Sequence, residues 1–369
     1  MPLLHDGQRI HSNYEVERFL GEGAFAEVYR VKHRFFGRQA MKVFKTKGLT
    51  LKETEDMLGE AILLSRIEHP NVIRVFDANT TATSEGDWGF FTMEYIAGGS
   101  LEQYWRSFGD RMIPIKTTVD IVSQICRGLA VAHREKPPII HRDIKPQNIL
   151  IGYDEDGLKV KVSDFGLAKR VNPLTLLASA KGTRCFKGPE IRKDYQSDSC
   201  AGDVWAIGCI LYLLLTDRLP YPEMNDFDLF DGKCFENPVI LPSRLNILVD
   251  PALDQLVNRA LSIDPKKRYS NAKEMLDELS RWKPADDSGN SKKLSSSQGD
   301  GTKTALGLYT PANKELAYQM AHQAIRMVKQ ANKLKEGADL LEEALNKWPD
   351  LREKYEYRLQ QWRRGFSTE

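Results

Sequence analysis

The sequence predicts an α+β fold: a small sheet-bearing lobe, a larger and mostly helical lobe, and a separate all-α segment toward the C-terminus. Three observations predict it. Short alternating apolar runs punctuated by glycine-rich turns fill the first 96 residues. Helical periodicity takes over from Leu101, and after Trp282 the apolar content collapses before helical spacing returns at Pro311.

Taken in order, Tyr14, Val16, Phe19 and Leu20 lead into Gly21-Glu22-Gly23-Ala24-Phe25-Ala26, and Val28, Tyr29 and Val31 resume the extended pattern, which reads as two strands joined by a glycine-rich turn. Further strands are predicted over 38–44, 73–78 and 90–94. One helix lies between the first two of these, and Thr50 with Glu53 forms a capping-box pair at its start. Helices follow over 115–134, 204–215, 251–261 and 271–279. The run Val204–Leu215 is almost wholly apolar but shorter than the roughly 20 residues of a membrane span, so it is read as a buried core helix. Residues 284–310 are rich in Ser and Gly and read as a flexible linker. In 311–366, Leu316, Met320, Ala324 and Val328, then Leu341, Ala344, Leu345 and Trp348, mark two helices, with Tyr355, Tyr357, Leu359 and Trp362 on a third. The implied units are 14–283 (lobes 14–96 and 97–283), 284–310 and 311–366.

Composition bounds the function without naming it. With 53 basic and 51 acidic residues the net charge is +2, so no bulk field points to nucleic acid or to a membrane surface. The five cysteines are odd in number and lack the paired spacing of a zinc or redox site, which fits a reducing compartment. Met1–Ser12 has no apolar stretch of signal-peptide length. A soluble, cytoplasmic protein is expected.

Several polar residues stand where chemistry is easier to explain than structure. Gly21 and Gly23 leave main-chain N–H groups open to an approaching phosphate, although a glycine-bearing hairpin alone is ordinarily just a hairpin. Lys42 lies in a β-like stretch after Ala40 and Met41; a strand lysine is normally solvated surface. Glu60, however, shares a helical stripe with Met57, Leu64 and Ile67, and a carboxylate on an apolar face needs a cation. Lys42 is the expected partner. Asp143 follows the apolar Ile139-Ile140 in a loop where it can accept a hydroxyl proton, and Lys145 can neutralise charge on a transferred group. Asn148 precedes Ile149-Leu150-Ile151 and Asp164 follows the alternation of Leu158, Val160 and Val162, with Asp154–Gly157 as the turn. A hairpin brings such ends together, offering a neutral and an anionic oxygen to Mg²⁺, with Mn²⁺ acceptable to the same hard ligands.

The segments Ala40-Met41-Lys42, His141-Arg142-Asp143-Ile144-Lys145-Pro146-Gln147-Asn148 and Asp164-Phe165-Gly166, in this order behind the glycine-rich turn, resemble eukaryotic-like (Hanks-type) Ser/Thr protein kinases over residues 14–283. The resemblance implies a bilobal kinase fold and transfer of the γ-phosphate of Mg-ATP to Ser or Thr hydroxyls of protein substrates. It implies a hinge at Met93-Glu94-Tyr95-Ile96, with adenine between Leu20, Val28, Ala40 and Leu150 and Met93 behind it. Asp203 would anchor the catalytic-loop backbone, and Glu190 would pair with Arg268. The chain departs from the family at Ala26, where a third glycine is common, and at Gly188, where alanine is usual. Thr183 resembles the threonine that bonds the catalytic aspartate and lysine. Arg142 preceding Asp143 implies regulation by an activation-segment phosphate, for which Ser179 and then Thr175 are the candidates, with Lys169 as a second receiver.

Ala338–Pro349 resembles the second helix of a tetratricopeptide-type repeat, while the first-helix positions depart from it, so a plain helical hairpin is the favoured reading. One repeat is not expected to bury a core by itself. It should dock on the kinase, dimerise or bind a protein partner. The competing reading of the whole chain is a kinase-like scaffold that recruits partners through these helices, against which stands the full complement of charged groups.

Overall fold

The computed structural model describes residues 2–23, 26–45, 58–59, 61–83, 86–108, 112–154, 157–165, 184–190, 197–221, 235, 237–284, 311–330, 333–348 and 351–363. Among these, a six-stranded antiparallel sheet is built from β1 (Arg9–Ile10), β2 (Tyr14–Glu22), β3 (Ala26–His33), β4 (Gly37–Phe44), β5 (Val75–Thr83) and β6 (Gly86–Glu94), in the order β1-β2-β3-β4-β6-β5. The helical lobe carries α1 (Leu101–Arg106), α2 (Ile115–Arg134), the hairpin β7 (Ile149–Asp154) and β8 (Gly157–Val162), α3 (Cys200–Thr216), α4 (Pro251–Ala260) and α5 (Ala272–Arg281). The C-terminal unit is α6 (Pro311–Val328), α7 (Leu334–Lys347) and α8 (Leu351–Arg363).

The period-2 alternation of the strands decides what each face of the sheet meets. Tyr29, Val31, Met41, Val43, Trp88 and Phe90 join Leu4 and Ile10 in a small core on one face. Ala40, Phe44, Phe91 and Met93 enter the main core on the other, which is continuous with the helical lobe through Leu64, Ile67, Val72 and Ile73. Lys42, between Ala40 and Phe44, is therefore on the face turned toward the second lobe. Directly opposed residues share a face, so the pairings Arg18↔Arg30, Arg30↔Ala40 and Ala40↔Met93 draw a single row of side chains across β2, β3, β4 and β6.

The expected core helix is α3, buried from Gly202 to Thr216. Ser199 caps its start, accepting from Gly202 N, and Asp217 ends it in a left-handed conformation at φ 57°. Leu101 of α1, with Ser100 and Gln103 as a reciprocal capping box, follows the hinge at once. β5 and β6 run longer than expected: the polar Asn79-Thr80-Thr81 continues a strand because it pairs with Phe90, Gly89 and Trp88 across the sheet, not because its own pattern alternates.

The C-terminal helices share a core of Leu316, Met320, Ala324, Leu341, Leu345, Tyr355, Leu359 and Trp362 among others. The third helix predicted from Tyr355 and Trp362 is α8. Gly337 makes the close crossing of α6 and α7 feasible, since a Cβ there would lie 2.3 Å from Val328 Cγ2 and 2.9 Å from Ala324 O.

Asn71 ties the lobes together. Its buried amide donates to Gln124 Oε1 on α2 (3.0 Å) and to Val160 O (2.9 Å), and its carbonyl accepts from Val162 N (2.9 Å). Asn71→Ala keeps the main-chain bond to Val162 N but removes the side-chain donor to Val160 O and leaves Gln124 Oε1 with the Val160 N–H alone, and we expect a loss of about 1–3 kcal/mol, the cost of one buried unsatisfied group. Denaturant unfolding measures this; an unchanged midpoint would refute the assignment.

Candidate active site

Where β4 faces the end of β8, Lys42 Nζ stands 2.6 Å from Asp164 Oδ1. Lys42 Nζ also lies over the Phe91 ring, 5.5 Å from its centroid, a cation–π contact that helps to hold the ammonium in place. The Asp164 side chain is 40% exposed there. Burial pushes its carboxyl up, the Lys42 ammonium outweighs that, and the balance holds it below its ordinary value, an anion at neutral pH. The structure thus gives Lys42 a partner in Asp164. Glu60, the partner expected from the sequence, lies outside the described residues, as do Phe25, Lys169, Thr175, Ser179 and Thr183.

The hairpin geometry brings the predicted loop residues to this pair. Ile149 faces Val162, and both the N–H and the hydroxyl of Ser163 donate to Asn148 O at 2.9 Å, which sets Asn148 beside the residue preceding Asp164. Asn148 Nδ2 donates to Asp143 Oδ2 (3.0 Å) and Asp143 O (2.8 Å), so the nitrogen end of the amide is spent on the loop and the oxygen end is the one left for a cation. Lys145 Nζ is 3.0 Å from Asp143 Oδ2.

The loop is held by buried groups beneath it. His141 donates from Nε2 to Ser163 O (2.9 Å) and accepts the Asp143 N–H at Nδ1 (3.2 Å), a pattern only a neutral ring can make. Burial lowers its pKa, in agreement. Phe165 is buried against the same ring, centroids 4.4 Å apart. Asp203, at the start of α3, accepts from His141 N (2.8 Å), Arg142 N (3.0 Å) and His133 Nε2 (2.9 Å), as expected for the loop anchor. Arg142 and Asp164 both adopt left-handed backbone, at φ 67° and 58°. Each costs roughly 1–2 kcal/mol for a non-glycine residue, which these anchors offset.

Of the residues that the resemblance sets around adenine, Ala40 and Met93 are buried while Leu20, Val28, Ile96 and Leu150 are half-buried. Glu94 turns its carboxylate to Lys161 (2.7 Å) and donates its N–H to Arg74 O (2.9 Å). A Cβ on Gly21 would meet nothing within 4 Å, so packing does not require glycine there; a ligand pressed against the backbone would. Arg268 forms a bidentate pair with Glu190 at 2.7 Å on both arms.

Two residues that hold the loop are not legible in the sequence. His141 carries no periodic signal of its own, and Asp198, 2.6 Å from Arg142 Nε, reads as an ordinary loop acid.

A family model described as protein kinase domain matches residues 14–279. The chain belongs to the protein kinase family. It is 31% identical over 284 residues to a probable serine/threonine-protein kinase of Clostridium acetobutylicum, covering 75% of this chain and 41% of that protein. It is 35% identical over 263 residues to the serine/threonine-protein kinase ATG1c of Arabidopsis thaliana (71% and 34%). To the calcium/calmodulin-dependent protein kinase type II of Caenorhabditis elegans it is 30% identical over 272 residues (73% and 36%). The chain thus spans well under half the length of these relatives. Its kinase domain is of the eukaryotic-like Ser/Thr type, and among the described residues no helix is long and apolar enough to cross a membrane.

Asp203 sets a stability prediction with a definite sign. Burial raises its pKa, the bonds from His133 and His141 more than compensate, and the folded value lies below the ordinary 3.8. Its contribution is complete above that value and is lost as pH falls through the folded pKa. Asp203→Ala should cost about 3–5 kcal/mol near neutrality and flatten the acid limb of the stability profile. Chemical unfolding from pH 7 down to pH 2 checks both; a parallel acid limb in wild type and variant would contradict the anchor.

Proposed function

We propose that the chain transfers the γ-phosphate of Mg-ATP to Ser or Thr hydroxyls of protein substrates. The observation that carries this is the Lys42–Asp164 pair set beside the Asp143–Lys145–Asn148 cluster in one cleft. Leu20, Val28, Ala40 and Leu150 take the adenine, with Met93 behind it and the main chain of Glu94 and Ile96 at its edge. Gly21 and Gly23 admit the phosphates. Lys42, with Glu60, orients them.

Asp164 and Asn148 suit a hard divalent ion, Mg²⁺ or Mn²⁺, because one offers an anionic oxygen exposed to the cleft and the other an amide oxygen whose nitrogen is already engaged. That ion would neutralise phosphate charge. Asp143 orients the incoming hydroxyl and accepts its proton as the new O–P bond forms and the γ-phosphorus bond to the bridging oxygen breaks, releasing ADP. Lys145, 3.0 Å from Asp143 Oδ2, stabilises the equatorial oxygens of the transferring group. We place the protein in the cytoplasm, acting on proteins rather than nucleic acid.

Regulation by an activation-segment phosphate on Ser179 or Thr175 is part of this reading. What bears on it is that the Arg142 guanidinium is already paired with Asp198. The carboxylate serves in the unphosphorylated protein as the anion for Arg142, and a phosphate would compete for it. Asp198→Ala should reduce the activity of unphosphorylated enzyme about 5- to 50-fold, the range of an ordinary coupling energy, and phosphorylation should restore it. Phosphopeptide mapping with paired activity assays tests this; full activity of unphosphorylated Asp198→Ala would refute it.

Asp143→Asn should lower kcat about 10²–10⁴-fold with ATP binding retained, the usual span for loss of a positioned base. Lys42→Met should cripple turnover as well. Steady-state transfer to a Ser/Thr-containing protein substrate and nucleotide titration measure the two effects; wild-type turnover by Asp143→Asn would overturn the proposed function.

A further inference from the structure

The C-terminal helices rest on the kinase at residues from both lobes and from the hinge between them. On α7, Asp339 is 3% exposed. Its Oδ2 accepts from Arg18 Nη2 of β2 (2.6 Å) and from Arg30 Nη1 of β3, and lies 3.5 Å from the hydroxyl of Tyr95 in the hinge. Its Oδ1 accepts from Arg363 Nη1 of α8 (2.7 Å), which fixes the carboxylate within its own unit. On α6, Gln323 is fully buried; its Oε1 accepts from the Tyr153 hydroxyl of β7, and its Nε2 faces Gly98 O at 3.5 Å. Arg326 of α6 lies over the Phe108 ring beyond α1, 4.7 Å from its centroid.

These contacts divide by lobe. α7 holds the sheet and hinge, α6 holds the helical lobe, and the shared core of α6, α7 and α8 makes the two grips one body. A rigid body fastened to both lobes fixes the angle between them. The grip on the sheet also reaches the nucleotide slot directly. Arg18 and Arg30 stand in the same cross-strand row as Ala40 and Met93, and Arg18 is two residues before Leu20. None of the gripping residues belongs to the catalytic set, and the Lys42–Asp164 pair and the loop cluster are assembled with the helices docked. The docked helices therefore leave the catalytic set assembled.

We propose that the C-terminal helical unit is an intramolecular strap that sets the lobe angle for nucleotide binding, with Asp339 as the positioning residue through which it holds the sheet. The proposal rests on the kinase reading of the cleft. Two arginines buried at Asp339 would lose their shared anion on its replacement, so the sheet-side grip should release while Gln323 still holds the other lobe.

The test compares full-length wild type, Asp339→Asn, Asp339→Glu and Gln323→Ala by ATP KM, kcat and amide hydrogen exchange. Asp339→Asn should raise the KM for ATP about 5- to 30-fold with kcat changed less than threefold, and exchange should rise in β2, β3 and residues 94–98. Asp339→Glu should recover most of the loss. Gln323→Ala, which leaves the buried charges intact, should raise KM in the same direction and serves if Asp339→Asn does not fold. Unchanged ATP KM in Gln323→Ala together with unchanged KM or no folding in Asp339→Asn would overturn the strap while leaving the kinase reading in place. Absence of Mg-ATP binding by wild type would instead overturn the kinase reading and the strap with it.

Discussion

The site depends on one ion pair that joins elements from different lobes. Lys42 is fixed by its strand and Asp164 by the end of a hairpin more than a hundred residues away. With Asp164 well exposed to the cleft, the pair adds only about 1 kcal/mol or less to stability. Its weight is geometric. It needs the sheet to present Lys42 on its inner face, the β7–β8 hairpin to set Asp164 beside Asn148, and the lobes to close to within 2.6 Å across the cleft.

Buried polar groups keep that geometry, and they act as layers. Asp203 gathers the N–H groups of His141 and Arg142; His141, neutral, bonds the Ser163 carbonyl and the Asp143 N–H; Asn148 then clasps Asp143. Each group satisfies the next, which is why a loop with two left-handed residues holds one shape. Asn71 and the Arg268–Glu190 pair do comparable work further out.

Much of this was legible in the sequence because the informative residues are close together or lie on simple periods. The hairpin argument for Asn148 and Asp164 needed only strand alternation, and α3 announced itself by an apolar run. The helices read over 251–261 and 271–279 are α4 and α5, and the structure sets Asp250 and Asn271 as the caps at their starts. Strand ends were less legible, since Gly86, Asp87 and Gly89 weaken the start of β6, which pairing across the sheet nonetheless keeps extended. Long-range charge was illegible. Arg18, Arg30 and Asp339 look like surface residues until the fold brings together positions 309 and 321 apart, and Asp198 looks like any loop acid until Arg142 turns toward it. Local pattern reports burial of apolar side chains; it is silent on which charges are buried as pairs.

In the proposed function Lys42 and Asp164 meet at a Mg-nucleotide. Isothermal titration of ATP with and without Mg²⁺, on wild type and Asp164→Ala, tests that most directly. We predict that Mg²⁺ tightens ATP binding in wild type by at least about tenfold, or roughly 1.4 kcal/mol, and that the variant loses this gain. Equal Mg²⁺ dependence in both proteins, or no ATP binding by wild type, would contradict it.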